Sequence, residues 1–425
     1  MDRQKSLTAR FNILAGAIGN ALEWYDFAIY GFLAPILGKL FFPSEDAFAS
    51  LLSAFGAFAV GYAARPVGGA IFGHLGDRFG RKTALVVSII AMGAATSAIG
   101  VLPDHDQIGT AAALFLVVLR IVQGLSVGGE YSCSIVYMAE HAPPERRGLD
   151  SSWPQFGCLI GFLLGSGIGA LTSTVLGQEV MDNWGWRVPF VLGAVIAVAG
   201  LIFRSRLTEL PATRRQGSSA GLPIVIALRD YWRSIARLIS LILVGGVGFY
   251  MIFVYAASYL TEQMHLTTAR ALDINTISLL FMLVLTAPAA MLSDRIGRKP
   301  MLYTVALSAF FVAIPLWWLM HQNSFLLILL GQMGFALIFA VAFAVIPSVM
   351  AELLPAEVRC SGASIGYNLC LGLFGGTTPL VATYLVARTA DDFAPAYYLM
   401  AAALLQLVGL IGMKEMAGKR LSLSA

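Results

Sequence analysis

The stretch GDRFGRK at Gly76–Lys82 recurs later in the chain as SDRIGRK at Ser293–Lys299. A second pair of segments repeats at nearly the same spacing, with AEHAPPERRG starting at Ala139 and AELLPAEVRC starting at Ala351. A repeat with a fixed, long period indicates two copies of one structural unit. The sequence therefore predicts a duplicated fold in which each unit takes about half of the chain.

The composition indicates what surrounds the two units. The 425 residues are 58% hydrophobic and 12% charged, whereas an ordinary soluble domain is about 45–50% apolar and about 25% charged. So few charged side chains cannot cover the surface of a soluble protein of this length. A lipid bilayer is the natural apolar solvent, and a helix that spans it needs about 20 mainly apolar residues.

Apolar segments form two sets of six, and we expect helices because an open strand edge in lipid leaves backbone groups unpaired. The segments are residues 11–40, 48–75, 83–102, 109–138, 151–177, 188–204, 235–262, 272–293, 300–320, 324–352, 360–387 and 394–413. The fold class predicted is an all-α membrane protein with 12 transmembrane helices. A polar segment divides them into an N-terminal bundle over residues 1–206, a cytoplasmic linker over residues 207–234 and a C-terminal bundle over residues 235–425.

The positions of the cationic residues predict the orientation. Most of the 28 Lys and Arg residues lie before the first segment, after the last one, in the linker and in every second loop. Short cytoplasmic loops hold the excess of Lys and Arg in membrane proteins. We therefore expect both termini in the cytoplasm and a multi-pass protein of the bacterial inner membrane.

Several classes of function have no support in the sequence. A net charge of +4 without a continuous basic surface does not suit nucleic acid. The phosphate-binding GxxxxGK[ST] and the zinc motif HExxH do not occur, and the five histidines do not cluster. We expect no enzyme activity, no cofactor and no bound metal. The four cysteines have no CxxC spacing and are expected to be buried apolar residues rather than disulfides; they are Cys133, Cys158, Cys360 and Cys370.

The charges of the repeated loops have a mechanical interpretation. Parallel duplicated six-helix units occur in transporters that rock two bundles around a central site. Charges in matching loops can make contacts that hold only while the cytoplasmic side is closed. The alternative is that they are solvated charges that set the topology. The candidate gating residues are Asp77, Arg81, Asp294, Arg298, Glu140, Arg147, Glu352 and Arg359.

Longer motifs carry a family resemblance. GHLGDRFGRK at Gly73–Lys82 resembles the inner-loop signature of the major facilitator superfamily, and RIVQG at Arg120–Gly124 resembles its fourth-helix motif. GNALEWYDFAIYGF at Gly19–Phe32 and WGWRVPF at Trp184–Phe190 are similar to segments of its metabolite/proton symporter family. The resemblance implies the major facilitator fold and proton-coupled import of a metabolite such as citrate, 2-oxoglutarate, shikimate, proline or betaine.

The substrate within that family stays open. PAYYLM at Pro395–Met400 and SYL at Ser258–Leu260 resemble the proline/betaine members. Arg120, however, stands where we expect a lysine in those members and an arginine in the carboxylate carriers.

Some ionisable residues fall within predicted spans, where each costs about 2.5–3.5 kcal/mol on insertion scales. These are Glu23, Asp26, Arg65, Arg120 and Glu130. Glu23, Asp26 and Tyr30 share one helix face, and we expect the two carboxylates to carry the coupled proton, although Glu23 could instead reach water at the helix end. Arg65 and Glu130 lie near span ends, where structural pairing is expected.

Arg120 lies near the middle of its span and carries a planar guanidinium that suits a carboxylate. It could bind a substrate carboxylate, pair with Asp26 until that group is protonated, or form a permanent structural ion pair. Polar and aromatic residues in other spans could hydrogen-bond or stack on a small solute, or bind a quaternary ammonium through cation–π contacts, although such residues more often serve packing. The candidates beside Arg120 are Gln123, Tyr30, Gln155, Tyr255, Tyr259, Tyr367 and Asn368.

Together these features predict a proton-coupled symporter that imports a small carboxylate-bearing metabolite, an organic acid or a zwitterion, and works as a monomer by rocking two bundles. The alternatives are a proton-coupled proline/betaine importer, a proton/drug antiporter and a non-transporting membrane sensor. A sensor would need an output domain, and no polar segment is longer than the linker.

Overall fold

The computed structural model describes residues 20–21, 23–79, 81–128, 130–205 and 223–421, and it describes the side chains in these ranges except at residues 73–74, 76–79, 81–82, 84–85, 130, 203–205 and 223. All regular secondary structure in these ranges is helical. The predicted all-α fold is therefore confirmed.

The first half of the molecule comprises helices α1 to α6. They are α1 (residues 23–32, a turn at Leu33, then Ala34–Phe41), α2 (Ala47–Phe79), α3 (Arg81–Val101), α4 (Ala111–His141), α5 (Trp153–Leu176) and α6 (Arg187–Ser205). Short helical turns between them are His105–Ile108, Pro144–Arg146, Arg147–Ser151 and Gln178–Gly185.

The second half comprises helices α7 to α12, preceded by the short helix Pro223–Asp230. They are α7 (Trp232–Glu262), α8 (Thr268–Ile296), α9 (Arg298–Met320), α10 (Phe325–Glu352), α11 (Arg359–Thr389) and α12 (Ala394–Leu410). A π-helical turn interrupts α7 at Met251–Tyr255 and α11 at Leu371–Gly375. Such turns are frequent at functional sites.

Length and apolarity identify the helices that can cross a membrane. Among the described residues eight helices are long and apolar enough to cross a membrane, and they are α2, α4, α5 and α7 to α11. The turn Gln178–Gly185 and α6 meet at an angle of 62°, and they would add a ninth span if they form one. The segment Val86–Val101 of α3 and the whole of α12 are shorter apolar helices. Many apolar helices are thus confirmed, whereas the number of twelve spans and the side of the termini stay predictions.

Glycines allow helices of the first half to cross closely. A Cβ at Gly124 of α4 would overlap the carbonyl oxygen of Gly61 of α2, and a Cβ at Gly128 would overlap the backbone nitrogen of Gly69. Small residues let helix backbones approach in this way in membranes. The crossing buries Arg65, which lies between the two α2 glycines and is 1% exposed.

The two halves pack against each other along several helices. α2 contacts α11, α5 contacts α8, and the second part of α4 contacts α10 and α11. One continuous cluster of buried apolar side chains includes residues of both halves. The site described next lies in this interface.

Candidate functional site

A cavity with an empty volume of about 450 Å³ lies between the halves. Helices α1, α4 and α5 line it from the first half, and helices α7, α10 and α11 line it from the second. Seven aromatic residues line it together with aliphatic residues, glycines and two cysteines, and the aromatic ones are Trp24, Tyr131, Phe162, Phe249, Tyr250, Phe343 and Tyr367. Among the described residues no Asp, Glu, Lys or Arg lines it. A mainly apolar wall with a few polar groups is typical of sites for small organic ligands.

Two of the predicted substrate-binding residues line this cavity. The Tyr131 hydroxyl donates a hydrogen bond to Oε1 of Gln155. The Tyr131 ring packs on Tyr367 with 4.6 Å between ring centroids, so an aromatic contact joins α4 to α11. Asn368, beside Tyr367, donates to the carbonyl of Gly128 at 2.8 Å across the same interface. Gln155 and Tyr367 therefore contact the central space, and Asn368 holds the halves together beside it.

The other predicted tyrosines lie elsewhere. Tyr30 is fully buried and its hydroxyl donates to the carbonyl of Ala54 at 3.0 Å. Tyr255 and Tyr259 pack against Trp317, with Tyr259 also hydrogen-bonded to His321. The structure does not bring these three tyrosines to the cavity wall.

Asp26 is the first member of a hydrogen-bonded chain that ends at Arg120. The Thr96 hydroxyl donates to Oδ2 of Asp26 at 2.6 Å, Nε2 of Gln123 donates to the Thr96 hydroxyl at 2.8 Å, and Nη1 of Arg120 donates to Oε1 of Gln123 at 2.5 Å. Asp26 and Arg120 are 5% and 0% exposed. The predicted partners are therefore linked through two neutral side chains rather than by a direct ion pair.

Thr96 was not predicted from the sequence. A threonine in an apolar helix usually bonds its own backbone, as Thr96 also does with the carbonyl of Met92. Its link to Asp26 depends on how α3 packs against α1.

The guanidinium of Arg120 is enclosed by aromatic rings. Its Cζ lies 4.3 Å from the ring centroid of Tyr30, 4.7 Å from that of Phe27 and 5.3 Å from that of Phe58. Cation–π contacts of this kind partly offset the desolvation cost of a buried cation. None of these three rings lines the central cavity.

The predicted proton carriers share a second, smaller cavity. Glu23 and Asp26 line an empty volume of about 300 Å³ between α1, α3 and α6. Glu23 is 2% exposed, so its side chain does not reach water at the helix end. A Cβ at Gly193 of α6 would come within 3.3 Å of Oδ1 of Asp26, and this glycine leaves room for the carboxylate.

Arg65 lies among aromatic rings. Its Nε and Nη1 are buried without a hydrogen-bond partner, and it forms no salt bridge with a described residue. Its Cζ lies 5.3 Å from the ring centroids of both Trp24 and Tyr62. No structural ion pair of Arg65 is found among the described residues, and the side chain of Glu130 lies outside them, so the expected structural pairing stays a prediction.

Buried ion pairs join the halves at the end of the molecule that we call the repeat end, defined by Glu140, Arg147, Asp294, Arg298, Glu352 and Arg359. Arg298 pairs with Asp294 at 2.9 Å and with Glu352 at 3.2 Å. Glu352 also pairs with Arg147 of the first half at 3.0 Å.

Further contacts complete the repeat end. Arg359 pairs with Glu140 at 2.6 Å. The backbone N–H groups of Gly148 and Leu149 donate to the Asp294 carboxylate at 2.7 and 3.0 Å. The predicted gating residues of the second repeat are thus in contact across the interface. Asp77 and Arg81 lie outside the residues whose side chains are described.

The segment after α12 also contacts the repeat end. The Glu415 carboxylate accepts the backbone N–H groups of Arg298 and Lys299, the first residues of α9, at 2.9 Å each. Arg147 donates to the carbonyl of Lys419 at 2.9 Å. Burial opposes ionisation of Glu415, but its hydrogen bonds from four backbone N–H groups lower the pKa below the usual value.

The opposite end of the interface, defined by Lys39 and Glu262, is closed more weakly. Lys39 of α1 pairs with Glu262 of α7 at 3.0 Å, and the Lys39 side chain is 62% exposed. Exposed pairs of this kind contribute only about 0–1 kcal/mol.

The cysteines correct one prediction. Cys133 of α4 and Cys360 of α11 form a disulfide that links the halves near the repeat end, so the expectation of four unpaired cysteines is wrong for these two. Cys158 and Cys370 are buried free thiols, as expected. The partners are far apart in sequence, and only the packing of α4 against α11 brings them together.

No group of His, Cys, Asp and Glu side chains within the described ranges could hold a metal ion. The described residues of the site can offer a ligand hydrogen bonds, electrostatic attraction and aromatic contacts.

Comparison with known proteins identifies the family. The family model described as Major Facilitator Superfamily matches residues 16–375. The chain belongs to the major facilitator superfamily. It is accordingly a transporter rather than an enzyme, and a multi-pass protein of the inner membrane.

Curated members of the superfamily resemble it over nearly its whole length. The glycine betaine/proline/ectoine/pipecolic acid transporter OusA of Dickeya dadantii (strain 3937) is 37% identical over 421 residues, which are 96% of this chain and 84% of the relative. The proline/betaine transporter of Escherichia coli (strain K12) is 36% identical over 422 residues, with the same shares.

Solved structures of the superfamily have the same fold. The proton:xylose symporter XylE bound to 6-bromo-6-deoxy-D-glucose has a TM-score of 0.79 at 20% identity, with 98% of each chain covered. At this identity the similarity shows the fold alone.

Proposed function

We propose that the chain imports a small zwitterion of the proline/betaine class together with protons, as a monomer with twelve spans and cytoplasmic termini. The observation that carries the proposal is the cavity between the halves, whose wall is rich in aromatic residues and uncharged in the described residues. Aromatic faces attract an ammonium group without the need for a carboxylate. The names of the relatives, which are transporters of proline and betaines, support the same class.

The alternative substrate is an organic acid with several carboxylates. Such a ligand carries several negative charges that would need cations in the cavity wall, and the described wall holds none. A zwitterion needs one anion-binding group and one surface for a cation. The cavity therefore favours the zwitterion over the general carboxylate predicted from the sequence.

The mechanism proposed is alternating access. The weakly paired opposite end would open first to admit solute, and the repeat end would open after its ion pairs separate. The pair of Glu352 with Arg147, the pair of Arg359 with Glu140 and the N–H groups that bind Asp294 are among the contacts that join opposite halves at the repeat end. Asp77 and Arg81 would act at the matching position of the first repeat.

Proton coupling is assigned to Asp26, with Glu23 sharing its cavity. An Asp26 carboxylate accepts the hydrogen bond from Thr96, and a proton on Asp26 would weaken that bond and release Gln123 and Arg120 behind it. The protonation state of Asp26 would in this way be transmitted to the crossing of α2 and α4.

Uptake into proteoliposomes tests the proposal. Labelled glycine betaine, proline and citrate are offered to the purified protein with an inward proton gradient, with an inward sodium gradient, and with a protonophore. We expect glycine betaine or proline to accumulate under the proton gradient and to leak out with the protonophore. Accumulation of citrate alone, dependence on sodium alone, or no uptake of any solute would contradict it.

A further inference from the structure

Two buried side chains with unsatisfied hydrogen-bond donors lie side by side in the first half. The Nε and Nη1 atoms of Arg65 and the indole Nε1 of Trp24 have no acceptor among the residues that the structure describes. The side chains are 1% and 4% exposed, and the Arg65 Cζ lies 5.3 Å from the Trp24 ring centroid. Buried donors are normally satisfied, and an unpaired buried cation is particularly costly. The pair therefore indicates an anion that binds there.

The donor pair borders the central cavity. Trp24 lines the cavity directly. Arg65 also lies 5.3 Å from the Tyr62 ring centroid, and the Tyr62 hydroxyl is 2.6 Å from that of Tyr250, another residue of the wall. A ligand in the cavity thus lies within the field of this guanidinium.

The geometry points to a divided binding site, in which Arg65 and the Trp24 indole N–H bind the carboxylate of a zwitterion and the facing rings of Tyr131, Tyr367 and Tyr250 bind its ammonium group. This inference rests on the proposed function and names the residues that would recognise each end of the solute. The carboxylate would supply the acceptors that Arg65 and Trp24 lack.

Arg120 is less suited to this role. Its Nη1 is bonded to Gln123, and the guanidinium lies between Tyr30, Phe27 and Phe58. None of these rings is in the cavity wall, and the chain through Gln123 leads to Asp26. The two buried arginines thus have separate tasks, Arg65 with the solute and Arg120 with the proton carrier.

The competing explanation is that Arg65 is a structural cation held only by the rings of Trp24, Phe27 and Tyr62. In that case the affinity for a solute would not depend on whether it carries a carboxylate. Choline distinguishes the two explanations, because it keeps the trimethylammonium group of glycine betaine and has an alcohol in place of the carboxylate.

The test measures binding of glycine betaine and choline to the purified full-length protein by isothermal titration calorimetry. The variants are Arg65→Gln, Arg65→Lys and Trp24→Phe, which removes the indole N–H but keeps a ring. Arg388→Gln is the matched control, because Arg388 is an exposed arginine at the end of α11.

We expect the wild type to bind glycine betaine about tenfold or more tightly than choline, because choline lacks the carboxylate that would accept a charged hydrogen bond. Arg65→Gln should remove that preference, Arg65→Lys should keep part of it because lysine retains the charge without the planar fork, and Trp24→Phe should weaken only glycine betaine. Choline affinity should stay within about threefold throughout, which also shows that the variants are folded.

Equal affinity of the wild type for glycine betaine and choline would overturn the inference, even if Arg65→Gln failed to fold. A betaine preference that survives in Arg65→Gln and Trp24→Phe would also overturn it, while the proposed function would stand. Absence of any binding of glycine betaine or proline to the wild type would overturn both.

Discussion

The buried arginines at the repeat end and those in the middle of the molecule are held in opposite ways. Arg298 and Arg147 are 0% and 2% exposed, and both pair with the carboxylate of Glu352. Arg65 and Arg120 are 1% and 0% exposed, yet aromatic rings surround them and neither forms a salt bridge with a described residue. Similar burial is therefore combined with carboxylate partners at the repeat end and, among the described residues, with no carboxylate partner in the middle of the molecule.

The difference indicates two functions. A buried cation with its carboxylates in place is stable as it stands, and breaking such a pair costs about 3–5 kcal/mol. The repeat end is accordingly the closure that we propose must open during transport. A buried cation without a carboxylate is stabilised when another group brings negative charge or accepts its hydrogen bonds, and the middle of the molecule is accordingly where we propose that a solute and a proton act.

The largest effect is expected at Asp26, because a chain of hydrogen bonds through Thr96 and Gln123 connects its carboxylate to Arg120 in the middle of the molecule. Asp26→Asn cannot exchange a proton, so we expect uphill accumulation of solute in proteoliposomes to be abolished while solute exchange without a gradient continues. The control is Asp230→Asn, which removes an exposed carboxylate paired only with its neighbour Arg229. Full accumulation of solute by Asp26→Asn would contradict the assignment of proton coupling to Asp26.

A large loss of stability is expected at the repeat end. Arg298→Gln leaves Asp294 and Glu352 without their shared cation, and we expect the free energy of unfolding to fall by about 3–5 kcal/mol, as for other broken buried pairs. The readout is the thermal midpoint in detergent, compared with the exposed control Arg388→Gln. A midpoint equal to that of the control would show that the closure does not depend on these pairs.

A smaller and conditional effect is expected from the disulfide. Because Cys133 and Cys360 join α4 to α11 across the halves, the bond must open before the repeat end can separate. Treatment of the wild type with an oxidant should therefore slow uptake severalfold relative to reducing conditions, and Cys133→Ser should transport at the same rate under both. Equal sensitivity of Cys133→Ser would assign the effect to another group, such as the buried Cys158 thiol.

The smallest effect is expected at Glu415, which binds the first N–H groups of α9 from the segment after α12. An anion at a helix N-terminus contributes about 0.3–1 kcal/mol. Its pKa is lowered from the usual 4.5 in the folded protein, so the contribution is complete above that value and is lost as the pH falls through the lower folded pKa.

Thermal midpoints of the wild type and Glu415→Gln should therefore differ slightly at neutral pH and converge as the pH falls through the lowered pKa of the folded protein. Glu357→Gln, an exposed glutamate before α11, is the control. A difference in thermal midpoint that grows as the pH falls would contradict this prediction, because the carboxylate of Glu415 loses its charge on acidification.

Much of the fold could be predicted from the sequence, because the repeated loops and the apolar segments are local patterns. Helical spacing also identified Asp26, and polarity in a span identified Gln155 and Tyr367 of the cavity wall. Spacing alone did not show which face of α7 meets the cavity, and Tyr255 and Tyr259 lie away from its wall, so their contact with a solute stays a prediction. The sequence placed Arg65 near a span end, whereas the side chain is buried at a glycine crossing between α2 and α4, which position along a span does not reveal.

The most direct test of the account is a simultaneous measurement of labelled glycine betaine entry and internal pH in proteoliposomes without an imposed gradient. The account predicts that solute entry acidifies the interior in the wild type, and that Asp26→Asn exchanges solute without acidification. Entry of glycine betaine into wild-type liposomes at constant internal pH would contradict the claim that the buried charges in the middle of the molecule couple a proton to a zwitterion.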